Sequence, residues 1–459
     1  MYFCGNSQKY MAEKKGALIQ EIYKRPFIRP LFFWIIGILL QVCFPLQTVS
    51  FILPAIILAI FIISLFSRSK QRNKSFKVEH PVVYENGSDM ITPDDKLFSG
   101  RWIWGAAFAC IVVFLAIQTT ALTEQRLSRG PQEPGFLQKK ALETQARMVE
   151  KLDLLQLPDT DKAVLATITV NYRQAMSREL RNSFNATGVS HILSVSGFHV
   201  AIVCAFISMM LSFLPKRGRV SKWVKYAITM ACTWCFTYIA GLDVAAVRAA
   251  VMITIFLTGR AISHNPDRFN TFSGAAFCML VYNPFYLFSI GFQLSYIAVF
   301  FLLYLQPRLS SLIEIRNPIL ATPWNVLTVT VAAQTGTTLL CFYYFGQSST
   351  VFIFTNLYLS IITTLLIPLT LIWMLVPATL PGIDLLRVAI ESMTSSMMWV
   401  VERFAEMPWV TLQVRFDFFT LIFSYISLAL FLMYFHSKRY WKLFSAFAAI
   451  LIILCWHLI

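Results

Sequence analysis

A serine and a histidine three residues apart are the first side chains in this chain whose types and spacing could do chemistry. Ser196 and His199 lie within the otherwise apolar stretch GVSHILSVSGFHVAIV (188–203). Residues three apart share one face of a helix, so a serine nucleophile beside a histidine base would indicate an intramembrane serine protease. The structural alternative is that the hydroxyl bonds its own helix backbone while Gly197 allows close helix packing. Because no orienting carboxylate follows at a suitable place, we predict no catalytic residue.

Arg248 is a second candidate, in the apolar run VAAVRAAVM. An arginine at the middle of a membrane helix costs roughly 2.5–3.5 kcal/mol on insertion scales. One interpretation is that its side chain extends to the outer interface, close to Asp243. The other is a fixed positive charge that lines a polar route for an anion such as phosphate. The sequence leaves both open.

Polar side chains also occur in or beside later apolar runs, at Asn283, Gln293, Gln334 and Asn356. Asn283 precedes Pro284, and this pair is typical of a helix start, with Asn as the cap and Pro at the first helical position. Each residue alone fits a hydrogen bond between helices. Together with His199 and Arg248, they predict a shared polar interior.

Several enzyme signatures are absent from the sequence. It contains no HxH or HExxH motif for a hydrolytic metal and no glycine-rich phosphate loop for ATP. We therefore predict a non-enzymatic protein without a bound metal or cofactor.

Composition sets the class of protein. Of the 459 residues, 57% are hydrophobic and 14% are charged, and apolar runs of about 20 residues, the length that spans a bilayer, recur throughout. We predict an all-α polytopic membrane protein with about 11–13 transmembrane helices in a lipid bilayer. The net charge of +16 is explained by the excess of Lys and Arg beside cytoplasmic helix ends.

Four segments follow from the pattern of apolar and polar residues. They are an N-terminal membrane segment (1–122) with three spans and a basic cytoplasmic loop (67–100), a polar segment (123–187), a membrane core (188–377) and C-terminal membrane helices (378–459). With the N-terminus in the cytoplasm, the basic loops at 215–225, 259–268, 307–316 and 436–442 all fall inside, as the positive-inside rule requires.

The polar segment should form two amphipathic helices, at 137–155 and 161–184, on the non-cytoplasmic membrane surface or at the mouth of the bundle. Gly188 should end it, and Ser190 should cap the next helix. The sequence does not decide whether two later apolar runs cross the membrane. Asn356 and Pro368 within 350–377 fit a broken or re-entrant helix. The charged residues Arg387, Glu391, Glu402 and Arg403 within 386–407 fit a helix along the interface.

Four stretches in order resemble the competence domain of ComEC-type DNA-uptake proteins. They are HILSVSGFHVAIV (191–203), GLDVAAVRAAVM (241–252), LVYNPFYLFSIGFQLSYIAVFFL (280–302) and YYFGQSSTVFIFTNLYLSIITTLLIP (343–368). The lead-in LRNSFNATGVSH (180–191) is also similar, and the resemblance extends over roughly 137–377. Each motif alone is a weak signal, but the ordered series is specific.

The resemblance implies a channel in the bacterial inner membrane that passes one DNA strand into the cytoplasm during natural transformation. It implies single-stranded DNA as the partner, alongside a separate cytoplasmic motor and other competence proteins. The positions that match the family motifs are Ser196, Gly197, His199, Arg248, Asn283, Gln293 and Asn356, with structural and pore-lining roles. A wet groove with arginine and aromatic faces would suit phosphates and stacked bases.

Two departures from the larger family members bear on function. Only about 15 residues separate Ala121 from the helix at Leu137, so we expect no external OB-fold domain there. We also expect no metallo-β-lactamase-like domain, and nuclease activity is not carried over. A transporter or channel for another anionic solute is the alternative function, and the serine protease is the third hypothesis.

Overall fold

The computed structural model describes residues 25–44, 101–130, 135–213, 219–262, 267–377 and 382–458. The predicted span at 49–66 and the basic loop at 67–100 lie outside the described residues. Sixteen α-helices and two short strands are described, and we number them in chain order.

The helices are α1 Ile28–Cys43, α2 Arg101–Leu127, α3 Phe136–Glu150, α4 Asp159–Val170, α5 Arg178–Ala186, α6 Gly197–Met210, α7 Arg219–Ile239, α8 Val244–Ile262, α9 Arg268–Tyr282, α10 Ile290–Tyr304, α11 Gln306–Ser310, α12 Pro318–Phe345, α13 Phe352–Leu375, α14 Ile383–Ala405, α15 Phe418–Ser437 and α16 Tyr440–Leu458. The strands are β1 Gln347–Ser349 and β2 Thr411–Gln413.

The predicted all-α membrane fold is confirmed. Six helices are long and apolar enough to cross a membrane: Gly105–Leu127, Val244–Ile262, Ile290–Ser310, Ile319–Phe345, Phe352–Leu375 and Phe418–Phe435. Shorter apolar helices cover Ile28–Cys43, Gly197–Phe213 and Tyr440–Trp456. Many large apolar side chains on these helices are exposed, among them Phe300, Phe354 and Phe431. Such faces suit contact with lipid rather than water.

The described residues form two compact units, and the first contains α1, α2 and α9. Helix α1 packs along α2, and a Cβ added at Gly37 would lie 2.6 Å from the Cβ of Ala116. A small residue at this position therefore lets the two helix backbones approach closely. The indole Nε1 of Trp34 donates to the carbonyl of Leu280, at 3.2 Å, and ties α1 to α9.

The second unit contains the remaining helices and both strands. Its core is formed by α4 to α8 with α13 and α14, and includes Ile168, Val200, Leu366 and Met397, all fully buried. Where these helices lie in the membrane, van der Waals packing rather than removal from water stabilises such contacts, because lipid is as apolar as the core. The strands pair antiparallel, with Gln347 opposite Gln413 and Ser349 opposite Thr411, and the sequence analysis predicted neither.

The polar segment differs from its predicted form. In place of one helix at 161–184 there are two, because Asn171 adopts a left-handed conformation (φ 63°) that ends α4. Ser177 then caps α5 by accepting from the N–H of Leu180, at 3.1 Å. Helices α3 and α5 are amphipathic, but α4 is buried at every position from Ala163 to Val170. It is therefore a core helix.

Helix α13 is continuous from Phe352 to Leu375, although Pro368 lies within it. The polar segment holds it at both ends. Near the start, Thr355 donates to the carbonyl of Thr187, at 2.8 Å. Near the end, Lys151 donates to the carbonyl of Met374, at 2.7 Å. These two hydrogen bonds hold both ends of α13 against the polar segment.

Gly188 lies at a close backbone approach in the second unit. Its φ of +78° lies in the left-handed region, and an added Cβ would lie 2.7 Å from the Cβ of Ser349 and 2.9 Å from that of Phe352. The predicted turn at Gly188 is therefore confirmed, and the position excludes a side chain for both reasons.

We predict that Gly188→Ala destabilises the protein more than Gly346→Ala does. Gly346 also has a positive φ (+67°), but an added Cβ there would meet nothing within 4 Å. Gly346→Ala should therefore cost only the left-handed strain of about 1–2 kcal/mol, whereas Gly188→Ala adds a clash. Thermal unfolding of the purified chain in detergent measures both, and equal losses would contradict the close approach.

Candidate functional site

Ser196 is the N-cap of helix α6. Its hydroxyl oxygen accepts from the N–H of Phe198, at 3.2 Å, and the backbone N–H of Ser196 donates to Nδ1 of His199, at 3.3 Å. The two residues therefore form a reciprocal capping box. The helix begins here and not at the predicted cap Ser190, which lies in a short 3₁₀ turn, Ser190–Ile192.

The hydrogen bonds of His199 assign its tautomer. Nδ1 accepts from the Ser196 backbone and lies 3.0 Å from the Ser196 hydroxyl, so the ring proton is placed on Nε2. Nε2 is buried, and no side chain among the described residues accepts a hydrogen bond from it. The backbone of Ile192 is the group that lies close to the ring. The histidine of a catalytic triad has a carboxylate at that nitrogen. This geometry favours the structural interpretation of the pair over the protease.

Helix α8 joins this helix start to α10. A Cβ added at Gly197 would lie 3.6 Å from the Cβ of Ala249, so α6 and α8 are in contact there. The neighbouring residue, Arg248, is buried, and its Nη2 donates to the carbonyl of Gly291 at the start of α10, at 3.1 Å. The positive charge is thus held between α8 and α10.

Gln293 and Gln334 continue these contacts toward β1. The hydroxyl of Tyr344, near the end of α12, donates to Oε1 of Gln293, at 2.7 Å. Nε2 of Gln334 lies 3.5 Å from the hydroxyl of Ser348, a longer and weaker contact. Gln293 therefore connects two helices, as its polarity predicted, whereas Gln334 connects α12 to strand β1.

Asn356 lies in the first turns of α13 and is buried, with no hydrogen-bond partner for its Oδ1 among the described residues. Thr363 lies seven residues later, on the same helical face. Its buried hydroxyl likewise has no hydrogen-bond partner among the described residues. A buried polar atom without a partner costs about 1–3 kcal/mol. Water or a ligand would supply the partner that each of these two atoms lacks.

Five helices close on one another through these contacts. Helix α6 contacts α8, α8 bonds α10, α10 bonds α12, and α12 contacts α13, which returns to α6. We call this arrangement the five-helix ring. It contains seven of the eight residues predicted from the sequence: Ser196, Gly197, His199, Arg248, Gln293, Gln334 and Asn356. The structure gives contacts around the ring, and its use as a route for a solute stays a prediction.

The eighth predicted residue, Asn283, belongs to the first unit. It is the C-cap residue of α9 rather than the N-cap of an α-helix. Its Oδ1 accepts from the N–H of Phe285, at 3.0 Å, at the start of a 3₁₀ turn, Pro284–Phe288. Helix α10 begins later, capped by Ser289. The predicted start, with Asn283 as the cap and Pro284 at the first position, is therefore present, but it starts a short 3₁₀ turn rather than α10.

Two polar residues of the ring, Tyr344 and Thr363, and the neighbouring Ser349 of β1 were missed from the sequence. Single hydroxyl residues give little signal in an apolar run, because most bond their own helix backbone. The seven-residue spacing of Asn356 and Thr363 is the signal that could have found one of them. No group of three or more His, Cys, Asp or Glu side chains suited to a metal occurs within the described ranges.

We predict that Ser196→Ala lowers the stability of the protein by about 1 kcal/mol, since it removes the cap of α6. Ser196→Asn should retain most of the wild-type stability, because Asn caps helices equally well. Unfolding of the purified variants measures this. A fluorophosphonate probe should leave Ser196 unlabelled, and labelling that His199→Ala abolishes would contradict the capping role.

The comparisons with known proteins agree with the resemblance. The family described as Competence protein matches residues 168–439, which is more than half of the chain. The ComE operon protein 3 of Bacillus subtilis (strain 168) is 26% identical over 225 residues, which cover 47% of this chain and 26% of that protein. The chain thus matches about a quarter of that relative's length. No solved structure matches significantly. On the family match, this multi-pass membrane protein belongs to the Competence protein family.

Proposed function

We propose that the five-helix ring is the conduit through which single-stranded DNA crosses the bacterial inner membrane into the cytoplasm during natural transformation. The family and the ComE operon protein 3 relative support the broader role, in competence and DNA uptake. The burial of Arg248 between α8 and α10 is the observation that carries the finer proposal.

Arg248 suits a phosphate for physical reasons. A guanidinium is charged at every physiological pH and presents planar N–H donors that match phosphate oxygens. Its bond to the Gly291 carbonyl fixes its position, so little side-chain entropy is lost when an anion arrives. At a buried site, its charge is also screened less by salt than at a surface.

The remaining polar atoms of the ring suit a hydrated strand. Oδ1 of Asn356 and the hydroxyl of Thr363 are both buried, with no partner in the described part of the chain. Water or a passing nucleotide would supply the missing hydrogen bonds. A polar lining with a single fixed charge would bind a strand weakly enough to release it, which conduction requires.

The energy for movement would come from another protein. The sequence contains no phosphate-binding loop, so the proposal includes a separate cytoplasmic motor and other competence proteins as partners. Arg248 would also bind a smaller anion. A transporter for another anionic solute is therefore the second candidate function.

We predict that Arg248→Ala reduces transformation with labelled DNA by about tenfold or more, since hydrogen bonds to charged groups contribute roughly 1.5–3 kcal/mol. Arg248→Lys should be intermediate, because it keeps the charge but not the planar donors. Counts of transformants and of internalised label, at equal protein levels in the membrane, measure the effect.

The matched control is Arg308→Ala, which removes an exposed arginine that bonds the carbonyl of Tyr304. It should transform like the wild type. A clean deletion that leaves DNA uptake unchanged in a transformable host would contradict the proposal, and uptake of a small anion in its place would favour the second candidate.

A further inference from the structure

An open cleft lies beside the five-helix ring, at the end of α12. It has a volume of about 580 Å³ and is lined by Tyr343, Tyr344, Arg415, Phe416 and Asp417. Tyr344 is also the residue that donates to Gln293 of the ring. The cleft and the ring therefore share a side chain. In the predicted topology, this end of α12 faces the non-cytoplasmic side, from which DNA arrives.

The backbone holds Arg415 in place from both sides. The N–H of Val414 donates to the carbonyl of Gly346, at 3.0 Å, and the N–H of Phe416 donates to the carbonyl of Phe342, at 3.3 Å. The ring of Phe416 also packs on that of Phe342, with centroids 5.2 Å apart. The segment that carries Arg415 is thus fixed on the end of α12, while the Arg415 side chain is exposed.

The chemistry of the cleft combines aromatic faces with a cation. Tyr343 contacts Tyr344 edge-on, with centroids 4.8 Å apart, and lies 6.5 Å from Phe418. The Arg415 guanidinium has no hydrogen-bond or ion-pair partner among the described residues. Proteins that bind single strands without regard to sequence use this combination, because every base has a face to stack and every nucleotide has a phosphate.

Asp417 is the one acidic group that lines the cleft, and its carboxylate has other partners. Oδ1 accepts from the N–H of Thr420, at 3.0 Å, as the cap of α15. Oδ2 accepts from the indole Nε1 of Trp456, at 3.0 Å. Hydrogen bonds from Thr420 lower the pKa of Asp417. The helix N-terminus therefore compensates this negative charge.

We infer that this cleft is an entry site for single-stranded DNA, in which Tyr343 stacks on a base and Arg415 binds the adjacent phosphate. The inference rests on the proposed function and deepens it, since it assigns a first docking point before the ring. The partner is a single strand rather than a duplex, because a base must be unpaired to present its face to Tyr343.

The test uses the full chain in lipid nanodiscs and a short fluorescent oligothymidylate, whose binding is followed by anisotropy. Tyr343→Ala should weaken binding roughly tenfold, in line with the loss of one stacked base. Tyr343→Phe keeps the ring and should bind like the wild type. Arg415→Ala should weaken binding and also reduce the slope of log affinity against log salt by about 0.7, the value for one phosphate contact.

Arg403→Ala is the matched charge control, because Arg403 is exposed and pairs with Glu406, at 3.4 Å. It should leave the salt slope unchanged. Wild-type affinity in both Tyr343→Ala and Arg415→Ala would overturn the entry site, and so would a slope that falls equally in Arg403→Ala.

The transformation assay separates this inference from the proposed function. If deletion abolishes DNA uptake while Tyr343→Ala and Arg415→Ala transform normally, the entry site is wrong and the channel stands. If deletion leaves uptake unchanged, the channel itself is wrong. Reduced transformation and reduced oligothymidylate binding in both cleft variants, at normal thermal stability, would support the entry site.

Discussion

The hydrogen bond from Arg248 to the carbonyl of Gly291 is the interaction on which the arrangement of the ring depends. A buried guanidinium is tolerated in an apolar bundle only if its donors find acceptors, and this bond provides one across two helices. It sets α8 against α10, while Gly197 sets α6 against α8 on the adjacent residue, Ala249. The side chain of Arg248 and the lack of one at Gly197 thus set the positions of α6, α8 and α10 relative to one another.

The ring is completed where the segment before α6 meets β1 and the start of α13. Gly188 lies directly against Ser349 and Phe352, and Thr355 bonds the Thr187 carbonyl. These contacts join the segment before α6 to the start of α13, so the two ends of the ring meet. Because α13 is also held near its end by Lys151, the helix that carries Asn356 and Thr363 is fixed along its length.

The sequence predicted the helical class and most of the ring residues, because polar groups in apolar runs are conspicuous and their order matches a known series. It failed where tertiary packing decides. Ser190 and Ser196 are equally good caps locally, and only the capping box with His199 selects Ser196. Helix α4 looked amphipathic in isolation, but α13 and α14 bury its polar face as well. The strand pair β1–β2 was invisible, since three residues carry no periodicity.

The proposed conduit requires the face of α13 that carries Asn356 and Thr363 to line a water-filled route within the ring. A charged, membrane-impermeant thiol reagent tests this most directly, applied to single cysteines at Asn356, Thr363 and Phe354 in a chain whose nine native cysteines are replaced. Phe354 is 65% exposed on the same helix and serves as the comparison. If the conduit exists, cysteines at positions 356 and 363 should react with the reagent, and single-stranded DNA should slow both reactions. DNA should not slow the reaction of a cysteine at position 354. Cysteines at 356 and 363 that fail to react, or that react at the same rate with and without DNA, would contradict it.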